Sequence, residues 1–329
     1  MALFISPSYS SYLKDIYIEA IIPKCVITNY DKADILILRT GKNIKWEELA
    51  KKNVIINHSP FDYIFTDKAV LALSYPIKKD IICPIVLGGG IIDIFAEMKR
   101  VEKLLQIGDE GYWILKPPYL FGGKGIKLLK NVKPHHIADE EYKGWVLQKY
   151  IENPMLINGR KFDIRFFVLE TQTSAYIYRI ANLRLSGKKY VLKSKDMAVH
   201  LTNVCYQQKQ GYSNTFKLLD YDALEKTTKF KESDFKKIVS LLKEGMLPIL
   251  HKKPKIDGVN HFELYGIDVM FTATNQIFIT EFNTNPAMEF GLTDKTLRDF
   301  RVNLLSETFD IVLKEISGKK IKTKKYVKI

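Results

Sequence analysis

Cysteine is scarce in this sequence, which contains Cys25, Cys83 and Cys205 among its 329 residues. Thiols so few and so far apart exclude a disulfide-stabilised scaffold and a cysteine-based zinc site. Long apolar runs are also missing, because the longest uncharged stretch, residues 81–92, includes a proline and three glycines and is too short to cross a bilayer. Residues 1–10 lack the basic start and apolar run of a secretory signal. We therefore expect a cytoplasmic protein without a membrane partner.

Acidic residues are outnumbered by basic ones, 37 to 51, which gives a formal net charge of +14. This surplus favours a polyanionic partner. Nucleic acid is not expected, because the sequence has no zinc-finger spacing, no RNP-like aromatic motif and no basic region joined to heptads. An acidic protein surface fits the charge, and a lysine-rich coding bias is the alternative explanation.

Repeats and low-complexity linkers are absent, and a hydrophobic fraction of 46% with 27% charged residues indicates a folded globular chain. We predict an α+β or α/β protein with a small N-terminal α/β unit (1–67), a central unit (68–148), a larger C-terminal unit (149–318) and a basic tail (319–329). The predicted strands lie near 2–5, 34–38, 54–57, 112–116 and 126–129, and the predicted helices at 46–52, 91–105, 234–250 and 294–313. The tail has six lysines between residues 319 and 328, and we expect a solvated, frayed end.

One polar face stands out in residues 159–169, where Lys161, Asp163 and Arg165 alternate with apolar side chains. A strand with this period of two places the three ionisable groups on one face and the apolar groups in the core.

A predicted hairpin carries a second polar face. If residues 263–271 and 276–283 pair around a turn at Thr274 and Asn275, Asp268 lies opposite Glu281, and Asn283 shares their face. Carboxylate and amide oxygens suit Mg²⁺. The alternative is a solvated hairpin face with paired charges.

A glycine-rich loop at 116–126 separates two predicted strands and carries Lys116 and Lys124. Glycines let a backbone approach phosphates closely, and the lysines would neutralise them. The loop lacks the Walker spacing and no helix follows it, which disfavours a P-loop or a Rossmann fingerprint. The apolar strand at 145–151 ends in groups that can hydrogen-bond an adenine edge.

The motifs at 113–126, 148–165, 200–203 and 262–286 occur in an order that resembles the tubulin tyrosine ligase and ligase-like family, which is built on the ATP-grasp fold. Two positions depart from the family pattern. Gly122-Gly123-Lys124-Gly125 stands where relatives usually carry Arg-Gly-x-Gly, so one cation is missing and Lys124 would compensate. The segment 284–287 departs mildly.

The resemblance also implies roles for individual residues. Those predicted to contact the nucleotide are Lys116 and Lys124 at the phosphates, Lys68 as an auxiliary lysine, Gln148, Lys149, Tyr150 and Ile151 at the adenine, and Lys161, Asp163, Thr202 and Asn203. Arg165 and Arg184 are predicted to face the γ-phosphate and the reacting carboxylates, and Asp268, Glu281 and Asn283 to bind Mg²⁺. His200 either orients its loop or touches a reactant, and Tyr150 and Trp145 resemble core aromatics. The other histidines, His58, His135, His136, His251 and His261, show no ligand spacing.

The implied activity is an ATP- and Mg²⁺-dependent ligation of a free amino acid to a protein carboxylate through an acyl phosphate. The implied acceptor is the acidic C-terminal tail of tubulin, which would place the protein at microtubules. Glutamate is favoured as the added residue over tyrosine and glycine, because residues 153–160 look closer to glutamate-adding relatives. The alternatives are a non-tubulin protein or small carboxylate as acceptor, and a microtubule-binding member without turnover.

Overall fold

The computed structural model describes residues 1–21, 25–77, 81, 84–88, 91–105, 111–118, 120, 122–213, 215–219, 221–284, 286, 288 and 294–329. Cys83 and parts of the predicted segments 81–92, 116–126 and 284–287 lie outside these residues.

The elements follow in chain order. The strands are β1 (Ala2–Ile5), β2 (Val26–Ile27), β3 (Ile35–Ile37), β4 (Ile55–Ile56), β5 (Ile85–Val86), β6 (Tyr112–Lys116), β7 (Lys127–Lys130), β8 (Val146–Lys149), β9 (Leu156–Ile157), β10 (Arg160–Glu170), β11 (Ala175–Tyr178), β12 (Ala181–Lys189), β13 (Phe216–Leu219), β14 (Asn260–His261), β15 (Glu263–Phe271), β16 (Ile277–Thr284) and β17 (Tyr326–Lys328). The helices are α1 (Ser11–Ile21), α2 (Trp46–Ala50), α3 (Tyr63–Thr66), α4 (Lys68–Ser74), α5 (Ile91–Leu105), α6 (Met197–His200), α7 (Val204–Lys209), α8 (Tyr221–Thr227), α9 (Glu232–Gly245), α10 (Leu247–Lys252) and α11 (Lys295–Ile316).

The N-terminal unit is built on a parallel sheet in the order β14-β4-β3-β1-β2. The predicted strands and the predicted helix at 46–52 are present here, the helix as α2. The sequence reasoning missed α1, whose buried residues include Leu13 and Ile16. These pack with Leu304 and Phe309 of α11 in one core. Because β14 joins this sheet from far along the chain, the N-terminal sheet is completed by a C-terminal segment.

The central unit contains an antiparallel sheet in the order β5-β8-β6-β7, with α5 packed against it. Trp113 and Leu115 alternate with outward residues on β6 and pack with Met98 and Val101 of α5. The predicted helix 91–105 is confirmed, and the predicted strand 126–129 lies one residue later. The glycine-rich loop connects the adjacent strands β6 and β7.

The C-terminal sheet is centred on β10. One edge of β10 pairs first with β12 and then with β11, and its other edge pairs with β15, which continues into β16. The apolar face of β10, including Phe162 and Ile164, lies in the largest core cluster. The predicted alternation of faces is therefore confirmed, and the polar face of β10 is flanked by two long strands.

The predicted helix at 234–250 is wrong as a single helix. α9 ends at Gly245, and α10 starts at Leu247 with a proline in its first turn. Pro248 has no backbone N–H, and its ring would clash with the carbonyl four residues earlier in a continuous helix. The predicted helix at 294–313 is α11, and Asp294 caps it by accepting from the Leu297 N–H at 3.1 Å.

The basic tail is ordered at its end, so the predicted frayed terminus is wrong. β17 pairs antiparallel with β11, and Tyr326 is 2% exposed. Glu307 of α11 accepts backbone N–H groups from the tail, including that of Lys325 at 3.0 Å. The division of the chain at residues 67, 148 and 318 stays a prediction. Among the described residues, no helix has the length and apolar character needed to cross a membrane.

Candidate active site

A cleft lies between the central sheet and the polar face of the C-terminal sheet. Most residues that the sequence analysis singled out line it, namely Lys68, Lys116, Gln148, Lys149, Tyr150, Ile151, Lys161, Asp163, Arg184, Thr202, Asn203, Asp268 and Glu281. Lys124, Arg165 and Asn283 are not among the described lining residues. Lys124 is exposed on the loop, and Arg165 contacts Asp268.

Strand register brings the charged residues together. Asp163 of β10 pairs with Arg184 of β12, and Arg165 of β10 pairs with Asp268 of β15. Asp268 in turn lies opposite Glu281 of β16, as predicted from the hairpin. Because these strands are neighbours in one sheet, side chains from distant parts of the sequence share one face.

Two arginines and two aspartates form a single buried network. The Arg165 guanidinium donates to both carboxylate oxygens of Asp268, at 2.7 and 2.9 Å. Arg184 donates to both oxygens of Asp163, each at 2.6 Å, and its Nη2 also lies 2.7 Å from Asp268 Oδ2. Burial alone would raise the pKa of Asp268, but Arg165 and Arg184 outweigh it and hold that pKa below its ordinary value. The Thr202 hydroxyl completes the network by donating to Asp163.

Two lysines in the cleft lack such partners. Burial lowers the pKa of Lys116 to about 8 and that of Lys161 to about 7. Within the described part of the chain, neither Nζ atom forms an ion pair, whereas Lys68 lies 3.3 Å from Glu281. A buried ammonium without a carboxylate is costly. The bound anion of a ligand would supply the missing negative charge.

The predicted magnesium ligands have suitable chemistry, since Asp268, Glu281 and Asn283 offer oxygen atoms on two adjacent strands. In this structure the two carboxylates contact cations, Asp268 through the arginines and Glu281 through Lys68. To bind Mg²⁺, Asp268 would have to release the arginines and Glu281 would have to release Lys68. With that rearrangement, the oxygen ligands fit a hard divalent cation.

The glycine-rich loop packs against the segment that precedes α7. Gly123 has φ of +79°, and a Cβ there would lie 3.0 Å from Leu201 Cδ1 and 3.2 Å from Asn203 Oδ1. Only glycine combines this conformation with this close approach. β7 follows the loop, as expected from a sequence that disfavoured a P-loop and a Rossmann fingerprint.

The predicted adenine hinge lies on β8 and the residue pair that follows it. Gln148 Nε2 donates to the Ile81 carbonyl at 2.7 Å, and Lys149 lies 3.0 Å from Glu152. Their side chains are therefore already engaged, and what they offer to a ligand is mainly backbone. Tyr150 is 5% exposed, so it is a core aromatic that also borders the cleft.

Sequence reasoning missed a second buried network, which joins the N-terminal unit to the C-terminal sheet. His58 Nδ1 lies 3.1 Å from Glu263, and the potential ligand atoms of His58, Asp62 and Glu263 lie within 4.8 Å of one another. His58 therefore contradicts the expectation that these histidines belong to no ligand-like group, although its ring is hydrogen-bonded on both nitrogens. Nearby, Lys253 lies 2.9 Å from Glu170. No local pattern signals pairs so distant in sequence.

The mixed α+β architecture with several sheets is consistent with an ATP-grasp-like fold. The sequence model of the Tubulin-tyrosine ligase family matches residues 93–320. The chain belongs to that family.

Three relatives illustrate the range of the family. A human protein named "Inactive polyglycylase TTLL10" is 29% identical over 258 residues, which cover 67% of this chain and 38% of that protein. The mouse "Tubulin monoglycylase TTLL3" is 32% identical over 219 residues, 60% of this chain and 24% of the relative. The Caenorhabditis elegans "Probable tubulin polyglutamylase ttll-9" is 29% identical over 233 residues, which cover 64% of this chain and 54% of that protein. The chain thus spans between about a quarter and just over half of the length of these relatives.

Proposed function

We propose that this chain is an ATP- and Mg²⁺-dependent ligase that joins a free amino acid to a carboxylate of an acidic protein tail, with tubulin as the acceptor. The observation that carries the proposal is a pair of lysines in the cleft, the half-buried Lys116 and the buried Lys161. Neither forms an ion pair within the described part of the chain, although they lie beside a network of matched charges. Such a surplus of buried positive charge suits a polyphosphate.

The chemistry that ATP supplies is a phosphoryl group that activates the acceptor carboxylate for attack by the amine. Lys116 and Lys161 would hold the phosphates, and Asp268, Glu281 and Asn283 would hold Mg²⁺. Arg184 is fixed by Asp163 and Asp268, so its charge is already in place for negative charge that develops during the reaction. Asp163, Arg184 and Asp268 are buried, and interactions between charges are stronger in such surroundings than in water.

Tubulin as the acceptor is supported by the names of relatives that modify tubulin, and by charge. The net charge of +14 favours encounter with an acidic tail. A non-tubulin protein or a small carboxylate remains the alternative acceptor.

We propose glutamate as the added amino acid, on the resemblance of residues 153–160 to glutamate-adding relatives. Glycine is the second candidate, because two of the relatives described above are named as glycylases. One of those is named as inactive, yet here Lys116, Lys161, Arg184, Asp163, Asp268 and Glu281 line one cleft, which supports turnover.

Intact-mass analysis tests the proposal directly. Purified tubulin is incubated with the protein, ATP and Mg²⁺, and with glutamate, glycine or tyrosine in separate reactions. We expect a mass increase with glutamate that requires ATP. An increase with glycine alone would transfer the proposal to glycylation, and ATP binding without any product would support a binding protein that lacks turnover on tubulin.

A further inference from the structure

A chain of hydrogen bonds runs behind Lys161 to the backbone of a neighbouring loop. Lys161 Nζ lies 3.0 Å from the Tyr150 hydroxyl, which lies 2.9 Å from His200 Nδ1. His200 Nε2 lies 2.9 Å from the Ser194 carbonyl. Lys161, Tyr150 and His200 are each no more than 5% exposed. These contacts join β10, the end of β8, α6 and the loop before α6.

The donor and the acceptor of each hydrogen bond can be assigned by starting from the Ser194 carbonyl. A carbonyl only accepts, so His200 Nε2 must carry a proton and donate to Ser194. Burial lowers the pKa of His200 below its ordinary value, which leaves the ring neutral and Nδ1 without a proton. Nδ1 then accepts, and the Tyr150 hydroxyl must donate its proton to it. Only the lone pairs of the Tyr150 oxygen remain for Lys161.

We propose that Tyr150 and His200 are positioning residues that hold Lys161 in its ammonium form at the nucleotide cleft. Because the Tyr150 proton is committed to His200, the hydroxyl presents lone pairs to Lys161 and cannot donate to a neutral amine. The ring of Tyr150 adds to this, since Lys161 Nζ lies 4.3 Å from its centroid. The sequence left two roles open for His200, orienting its loop or touching a reactant. In this proposal His200 instead orients the Tyr150 hydroxyl.

Other charged and titratable groups face the chain. Lys161 also experiences Asp163, which favours its charge, and Lys116, which opposes it. His200 is influenced by Lys161 and Asp196, and its ring lies 5.9 Å from that of Tyr190. The Tyr150 hydroxyl also interacts with the Tyr190 hydroxyl, whose own proton is donated to the Glu152 carbonyl at 2.8 Å. None of these groups takes the place of the Tyr150 oxygen as an acceptor for Lys161. Removal of the hydrogen bonds from His200 and Tyr150 should therefore favour the neutral form of Lys161.

The test uses a near-isosteric pair of substitutions. His200→Asn places an amide oxygen near the position of Nδ1, where it can accept from Tyr150, whereas His200→Leu has similar size and no acceptor. Both variants lose the same ring packing. In His200→Leu the Tyr150 hydroxyl is free to donate to a neutral Lys161 amine, which favours loss of the ammonium proton. Tyr150→Phe removes the acceptor altogether and serves as the second route to the same result.

Competitive acetylation of the ligand-free protein over a range of pH, read at Lys161 by mass spectrometry, gives the pH at which this amine loses its proton. We expect the midpoint to fall by about half a unit or more in His200→Leu and in Tyr150→Phe, roughly a threefold shift in the protonation equilibrium, and to stay near wild type in His200→Asn. Equal midpoints in all proteins, or an Asn variant that falls as far as the Leu variant, would overturn the proposal. If His200→Leu does not fold, Tyr150→Phe against wild type decides it.

The role of Lys161 in nucleotide binding rests on the proposed function. Measurement of nucleotide affinity tests that function separately from the effect of Tyr150 and His200 on the Lys161 proton. Calorimetry with a non-hydrolysable ATP analogue near pH 8 should show about threefold weaker binding for His200→Leu than for His200→Asn. If the wild-type protein binds no nucleotide, the proposed function fails, while the acetylation midpoints still decide whether the chain holds the Lys161 proton.

Discussion

Replacing Lys161 with methionine should stabilise the ligand-free protein while it abolishes nucleotide binding. Lys161 is 4% exposed, and no ion pair reaches its Nζ among the described residues. Its pKa falls from 10.5 to about 7 because burial penalises the charged form. Methionine keeps the shape of the aliphatic stem and removes the ammonium, so the penalty disappears together with the site for a phosphate.

The magnitude follows from the pKa shift. A group with a pKa of about 7 in the folded chain and 10.5 in the unfolded chain lowers the free energy of unfolding by about 4 kcal/mol at pH 7. Loss of the hydrogen bond to Tyr150 and of the ring contact offsets about 1 to 2 kcal/mol. We therefore expect a net gain of roughly 2 kcal/mol at pH 7.

The gain should depend on pH in one direction. The folded pKa lies below the unfolded pKa, so the penalty is complete below about pH 7 and is lost as the pH rises toward 10.5. The gross penalty falls to about half of its pH 7 value by about pH 9, and the advantage of the methionine variant should shrink with it.

Urea denaturation at pH 7 and pH 9 measures this, with Lys253→Met as the matched control. Lys253 is similarly buried but lies 2.9 Å from Glu170, so its removal strands a carboxylate and should cost about 3 to 5 kcal/mol. The two lysine substitutions are thus expected to change stability in opposite directions. If Lys161→Met destabilises the protein as Lys253→Met does, Lys161 is a structural residue and the argument for a phosphate site is refuted.

Three further predictions concern catalysis and recognition. Glu281→Gln and Asp268→Ala should each reduce ligation roughly a hundredfold or more at saturating Mg²⁺, since a lost metal ligand removes a few kcal/mol of transition-state stabilisation; near-normal turnover in a folded variant would contradict the metal assignment. The KM for the protein acceptor should rise steeply between low and moderate salt, with kcat much less affected, because exposed charges are screened beyond about 8 Å at physiological ionic strength. A KM that does not change with salt would point to coding bias as the origin of the lysines. Arg184→Lys should keep nearly unchanged ATP affinity by calorimetry while ligation falls roughly tenfold or more, because the two-point grip on a carboxylate is lost; a parallel fall in ATP affinity would place Arg184 in the nucleotide site.

Local periodicity was sufficient to predict the faces of the long strands. Lys161, Asp163 and Arg165 share a face because side chains alternate along any strand, whatever surrounds it. The pairing of Asp268 with Glu281 was predicted correctly, but the turn alone does not set it. Val269, Met270 and Phe271 pair with Ile279, Phe278 and Ile277, a register that would place Asp268 opposite Thr280, and an irregularity between Asp268 and Val269 shifts the pairing by one residue to Glu281. The proline in α10 was visible too, although the apolar spacing around it predicted one continuous helix.

Tertiary structure alone decided which charges meet. Arg184 contacts Asp163 and Asp268 through strand pairings between segments far apart in sequence, and no local pattern specifies that register. The tail shows the same limit, because its lysines indicated a solvated end while Tyr326 packs against the Tyr178 ring, 4.7 Å away between centroids. The low pKa of Lys161 likewise depends on burial by elements from several parts of the chain. Residue types and their alternation are local properties, whereas desolvation and long-range register exist only once the sheets have packed together.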